Sequence, residues 1–440
     1  MTSSAACVVR LIRISTALCC LGPAIRVPKA AETSSNGPSA ASYATIQAAV
    51  DANPGKMIFV PAGDHVITSK IRISKDGAGL CGFGRIVQTR ADQPIVEIEH
   101  ASGVEIRDVT LTRPEGRSET GNEAILAIGC RDLTIDNVKA IDNRTASAAI
   151  ALRNCTGARI SRCLIRNYMR VSVDDRTANP DWGYAFRCTD GTGISVAAST
   201  GTLIEANRIL ETTWRPTREM KEKHKLGDWV KKNEKKGNLV SQQVWDSNFT
   251  DNWQQGSAII VTSPEASSLT RILGNHIENA AQGIDLHCDQ AIVANNIVVN
   301  SFIGMKAMHG SRNVLITGNQ FVRNSLWAIG LMPGAAAHAG NADGGSIVSS
   351  NIISDFGHGD ARWIWGDERA PIRFDTGQQP DDPPLADVVV TGNVIHSIGP
   401  PRYRWAVLVP GGPDGPKNLQ FSGNLFPPGK EGVANVELKP

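Results

Sequence analysis

At 440 residues, with 41% hydrophobic and 20% charged residues, the chain has ample apolar material for a core and the balance of a soluble globular protein. A formal net charge of +2 argues against a dedicated nucleic-acid binder, and 42 Gly against 5% aromatics points to turn-rich β-structure and away from helix. This length ordinarily means two or three domains, but an elongated β-architecture can run this long as one unit.

In chain order, residues 1–31 read as a signal peptide. Arg10 and Arg13 precede the apolar run ISTALCCLGPAI, and the small residues Ala30 and Ala31 offer a cleavage site, flanked by Pro28 and Lys29. The expectation is a secreted or periplasmic protein. Cys19 and Cys20 lack the preceding residues of a lipoprotein signal. No later apolar run approaches the roughly 18 residues of a membrane span, so no stable membrane insertion is expected. Residues 32–42 read as a linker, 43–430 as the folded domain and 431–440 as a tail. Of nine cysteines, six (Cys81, Cys130, Cys155, Cys163, Cys188 and Cys288) lie beyond the leader, and none forms a CxxC pair that would hold zinc or do redox work. Cys130 and Cys155 hold matching places in successive repeats, which fits a buried thiol stack, with one disulfide as the alternative.

The domain opens with ATIQAAVDANPGKMIFVPAGDHVITSKIRI, a short amphipathic helix with Ile46, Ala49 and Val50 on one face, then strands. After it comes a repeat. IEANRI, ILGNHI, VANNIVV, ITGNQF, VSSNII, VTGNVI and FSGNLF each fit apolar-x-x-Asn-x-apolar, with Asn207, Asn275, Asn296, Asn319, Asn351, Asn393 and Asn424 at the shared place. VEIRDVTL, LTIDNVKA and ARISRCLI are earlier copies without the full pattern. A period of roughly 20 to 30 residues built from short β-branched runs, with no helical apolar spacing inside it, excludes helical repeats and predicts an all-β solenoid. In such a parallel β-helix each coil stacks on the last at about 4.8 Å, and the recurrent Asn becomes a side-chain ladder between coils. The helix would cover the otherwise open first coil.

The helix, then VPAG, two strands and LCGFG resemble the amino-terminal cap of pectate-lyase-like right-handed parallel β-helix proteins; with the Asn-bearing coils, the resemblance spans roughly residues 43–430. It implies that fold. It leaves the activity open, because the superfamily holds lyases, hydrolases, epimerases and non-enzymes. Three insertions interrupt the coils, near 211–243, 332–345 and 357–386. The first carries nine Lys or Arg between Arg215 and Lys236 and reads as a solvated helical loop or as an arm for an anionic polymer. The third holds Arg362, Trp363, Trp365, Arg369 and Arg373. The resemblance implies that such loops wall a groove along one sheet.

Aligning coils by their asparagines sets Gly283-Ile284-Asp285-Leu286-His287 beside Gly304-Met305-Lys306-Ala307-Met308 and Ala328-Ile329-Gly330-Leu331-Met332. Strand residues alternate faces, so Asp285, His287 and Lys306 point out while Ile284, Leu286, Met305 and Ala307 point in. His309 and Arg312 follow in the turn. The coil before, GSAIIVTS, is read with Ile259 and Val261 on the outer face. A His beside an Asp can be held as a base in one tautomer. Lys306, His309 and Arg312 could neutralise a substrate carboxylate, which removal of the carbon-5 proton of a uronic acid requires. Expulsion of the 4-linked sugar would then be a lyase reaction, and reprotonation from the other face an epimerisation. The Asp-x-His pair looks like that of mannuronan epimerases, whose motif is Asp-Pro-His-Asp; here Leu286 replaces Pro and Cys288 stands where the second Asp would be. That resemblance implies His287 as base, Asp285 as its orienting or substrate-binding partner, and Arg312 or Lys306 as neutraliser. Asp289, Trp253, Trp363, Trp365, Arg362 and Arg373 are the expected substrate contacts, and an acidic polysaccharide the expected partner of a monomer.

Other readings stand beside this one. Outward Asp285 and Lys306 could be a solvated cross-coil ion pair. A glycoside hydrolase would need two carboxylates about 5 to 10 Å apart, for which Asp285 with Asp289, Asp174 with Asp175, or Asp367 with Glu368 are available. Asp174 and Asp175 read as a turn, with calcium ligation alongside Asp181 as the alternative. A non-catalytic glycan-binding or surface-structural solenoid is the remaining class. Nine Trp against four Tyr fits sugar stacking, although Trp327 and Trp405 could equally pack under loops.

Overall fold

Three-residue apolar strands separated by Asn, Gly and Ser cannot bury a face alone, and they do so here by stacking coil on coil. The computed structural model describes residues 37–440 apart from 115–119, 172–177, 180–182, 185–188, 213–255, 334–342, 361–368, 377–381 and 412–414. Gly37–Pro440 form one unit. Each complete coil contributes a strand to sheet I, turns a corner into a short strand of sheet II, bends at the Asn position into sheet III, and turns again into sheet I of the next coil. Sheet I has twelve parallel strands, from Ile71–Ile73 to Gly432–Ala434. Sheets II and III join into a single set of 21 strands because Met57–Ile67 and Gly79–Gln88 bend across both. This is the parallel β-helix that the period predicts, with the fold of the pectate-lyase-like right-handed solenoids.

The interior is aliphatic. Inward residues such as Ile135, Ile160, Ile204, Ile272, Val293, Ile316, Val348 and Val390 are fully buried in one column of sheet II. The helix Ile46–Ala52, capped by Thr45, buries Ile46 and Ala49 and packs Val50 against the same core. Residues 40–42 form a 3-10 turn with Ala40 buried, and Gly432–Ala434 pair with Trp405–Leu408, so both flanks of the expected domain take part in the stack.

The asparagine ladder is continuous. Asn207, Asn275, Asn296, Asn319, Asn351 and Asn393 each donate Nδ2 to the Oδ1 of the next Asn at 2.9–3.0 Å, ending on Asn424. The same oxygens accept the backbone N–H of the Asn before, and the amide also donates to a carbonyl one coil back, as from Asn296 to Ile272. Buried polar groups are thus satisfied at a bend where the backbone cannot pair as a strand. The ladder begins at Cys163, whose N–H donates to Asn207 Oδ1.

A second ladder runs along the corner after sheet I. The backbone N–H groups of Cys155, Ser199 and Cys288 donate to the hydroxyls of Ser199, Ser267 and Ser311 respectively. Cys130, Cys155 and Cys288 are free and buried. Cys130 and Cys155 stand on adjacent coils beside the Arg131–Thr156 bridge. Cys188 lies outside the described residues.

Candidate functional site

In chain order, residues 172–188, 213–255 and 361–368 come just before a sheet I strand, and residues 334–342, 377–381 and 412–414 just after one. Sheet I is thus the sheet whose strands border the sequence insertions, and insertions are where function tends to sit.

The floor of that face changes character along the stack. One outward column runs Leu126, Ala151, Ser195, Ile260, Asp285, Lys306, Gly330 and Arg373, each paired with the next. Ahead of Leu126 the same column carries Arg72 and the buried Glu97; the four residues from Leu126 to Ile260 are apolar or small, and charge returns at Asp285. The register Asp285–Lys306–Gly330 is the one expected from aligning the asparagines. For GSAIIVTS the expected face is corrected: Ile259 and Val261 pair with Ile284 and Leu286 and are fully buried, so Ile260 is the outward residue. The segment had been read one residue out of register, and with a side-chain period of two such a slip exchanges the faces. The strand Gln282–Leu286 has glycine at its second position, Gly283, because a Cβ there would lie 2.3 Å from the Gly304 carbonyl oxygen.

Asp285, His287 and Lys306 meet. Asp285 is 4% exposed, yet His287 Nε2 lies 2.9 Å from its Oδ1 and Lys306 Nζ 3.2 Å from its Oδ2. Burial pushes the Asp285 carboxyl up, but the Lys306 ammonium and the His287 ring more than offset this and hold it well below the usual carboxylate range. A carboxylate only accepts, so the proton of this hydrogen bond sits on Nε2 of His287. In the neutral ring the lone pair then falls on Nδ1. The Asp285–Lys306 pair is buried, not the solvated surface pair weighed from sequence.

His309 stands edge-on to His287, with ring centroids 4.6 Å apart at 76°. Arg312 and Asp289 face each other across the corner instead: Arg312 Nε lies 3.1 Å from Asp289 Oδ2, and Asn313 Nδ2 donates to Asp289 Oδ1 at 2.8 Å. Arg373 belongs to the same column as Lys306, two coils on. Its guanidinium lies 5.3 Å from the Trp327 ring centre and donates to Asp375 Oδ2 at 2.9 and 3.1 Å. Trp327 reaches across Gly330, where a Cβ would meet its Cε3 at 3.1 Å. Cys288, at the place of the epimerase motif's second Asp, points inward on the corner ladder, and burial pushes its thiol up to about 12. That place therefore gives no group to the outer face.

Trp253, Arg362, Trp363 and Trp365, and the acids Asp174, Asp175, Asp181, Asp367 and Glu368, lie outside the described residues. Among the described residues no three His, Cys, Asp or Glu come together to hold a metal ion, and no helix is long and apolar enough to cross a membrane. Sequence reasoning missed Asp375, which alternation from Arg373 would have found, and Asp343, whose role depends on a corner that no strand pattern describes.

Comparison with solved structures finds likenesses of fold. The chain is similar to the catalytic domain of a GH87 α-1,3-glucanase in complex with nigerose (TM-score 0.58, 12% identity, 90% of this chain and 65% of that one). It is also similar to the Dettilon tailspike protein (0.55, 14%, 86% and 62%) and to a hyperthermoactive exopolygalacturonase from Thermotoga maritima (0.50, 10%, 84% and 84%). The chain thus spans about two thirds of the length of the first two. At these identities the likeness is one of fold. No family model and no curated relative matches the sequence.

Proposed function

We propose that the outward face of sheet I binds an acidic polysaccharide and that His287 removes the carbon-5 proton of a uronic acid residue. One observation carries the reading: Asp285, ionised and buried, takes Nε2–H of His287 and leaves Nδ1 as the basic nitrogen. The proton passes from carbon 5 to Nδ1, and Asp285 stabilises the imidazolium that forms. Negative charge gathers on the sugar carboxylate, close to Lys306 and, further along the column, Arg373. In a lyase the electron pair then expels the 4-linked oxygen, which takes its proton from the His287 imidazolium or from water; in an epimerase carbon 5 recaptures a proton from water on the opposite face and the imidazolium returns its own to solvent. Arg312, turned to Asp289, contributes less to this charge than Lys306 does. The leader-like residues 1–31 fit an exported enzyme that meets such a polymer outside the cytoplasm.

The likeness to a glucanase and an exopolygalacturonase favours a second reading, glycoside hydrolysis. It needs a carboxyl that keeps its proton. Asp285 is held ionised, while Asp289 and Asp375 accept from Arg312 and Arg373. A hydrolytic acid would therefore come from outside this cluster, with Asp367 and Glu368 as candidates.

The test is His287→Ala on a panel of polyuronides. Turnover should fall by about 10²-fold or more with polymer binding retained. Unsaturated ends seen by ultraviolet absorbance would report a lyase, and a changed sugar proton spectrum without them an epimerase. Full turnover in the variant would remove His287 from the mechanism. A solenoid that only binds glycan would show no turnover in either protein.

A further inference from the structure

The corner after the strand Ile303–Ala307 departs from those before it. At this rung of the stack, Ser199, Ser267 and Ser311 each offer a hydroxyl to one backbone N–H of the preceding coil. The next rung, marked by the Arg312–Gly344 bridge, carries Asp343, buried at 3% exposure. Its carboxylate accepts two amides: Gly310 N–H lies 3.0 Å from both oxygens and Ser311 N–H 2.8 Å from Oδ1. His309 and Gly310 have φ of 55° and 91°, and successive left-handed residues turn their N–H groups into a concavity suited to an anion. Histidine at positive φ is strained and persists only where its surroundings hold it. The residue held this way is the one whose ring stands edge-on to His287.

We infer that Asp343 is a positioning residue for the catalytic centre: its carboxylate fills the amide concavity at Gly310 and Ser311, fixes His309 in its left-handed conformation, and so sets the ring against which His287 is oriented. A serine would suffice for the ladder; a carboxylate at this rung reaches one amide more and ties the turn to the site. The inference rests on His287 being the base.

Asp343→Ser tests it, because it restores the residue usual at this rung. The expected result is an unfolding midpoint lowered slightly by the one amide left without its acceptor, kcat lowered about tenfold at constant KM, and displaced imidazole signals of His287 and His309 in selectively labelled protein. Asp343→Asn, which keeps an acceptor oxygen, should recover most of the rate. In Asp343→Ala, added formate should restore part of it by occupying the concavity. Wild-type kcat with both imidazole signals unmoved in Asp343→Ser would overturn the inference. Should that variant not fold, unmoved signals in Asp343→Ala would do the same. Full turnover in His287→Ala would instead defeat the base assignment, while the imidazole signals still decide the positioning claim.

Discussion

Asp285 carries a negative charge where burial alone would keep it protonated, and the cost is offset by a lysine from the next coil and a histidine two residues on. Removing one partner from such a cluster strands the others, so Asp285→Asn should cost about 3 kcal/mol of stability, read by denaturant unfolding. It should also lower turnover by at least about 10²-fold, because a carboxamide can turn its NH2 to the ring and favour the other tautomer, and it carries no charge to stabilise the imidazolium. The sign with pH follows from the lowered carboxyl. A group whose folded value is depressed stabilises the fold at all pH above the ordinary carboxylate value, near 4, and loses that contribution as pH falls toward its own lower value. The stability gap between wild type and Asp285→Asn should therefore be flat from neutral to about pH 4 and narrow below it; a gap that already narrows at pH 6 would contradict the assignment. Much of this was legible in the sequence, since Asp285, His287 and Lys306 follow from two-residue alternation and one stacking step. The pairing of Arg312 with Asp289 was not, because both lie in a corner where side-chain direction is set by left-handed residues and not by a strand period.

At the scale of the coil, the Asn ladder explains why one residue type recurs at a bend through seven coils. Asn296→Ala would orphan the backbone N–H of Asn275 and take one hydrogen bond each from Asn275 Nδ2, the Ile272 carbonyl and Asn319 Oδ1. Each buried orphan costs about 1 to 3 kcal/mol, so the substitution should destabilise by about 3 kcal/mol or more. Asn424, at the open end and half-exposed, should cost less than half as much as Ala. Equal losses at the two positions, measured as shifts in denaturant midpoint, would mean that the ladder does not transmit pairing from coil to coil. The ladder could be read from sequence because it depends on one amide at one interval. GSAIIVTS misled because all its residues are apolar or small, which leaves the two faces almost indistinguishable until the partner strand fixes the register.

Across the whole molecule, the period carries the fold and the interruptions carry the specificity. Stacked parallel coils need only alternation, small corners and a capped first turn. That is why the architecture matches solved β-helices at identities of 10–14% while no family model recognises the chain. The proposed chemistry depends instead on where the outward column turns from apolar to charged, here between Ile260 and Asp285. Loop sequences follow no such period, so Trp253, Arg362, Trp363 and Trp365 could be named from sequence but not positioned. The most direct measurement of the central claim uses a polyuronide carrying deuterium at carbon 5. Lyase and epimerase chemistry alike must release that label to water, and the account predicts release by the wild-type protein and none by His287→Ala. New reducing ends formed with the label fully retained would contradict it.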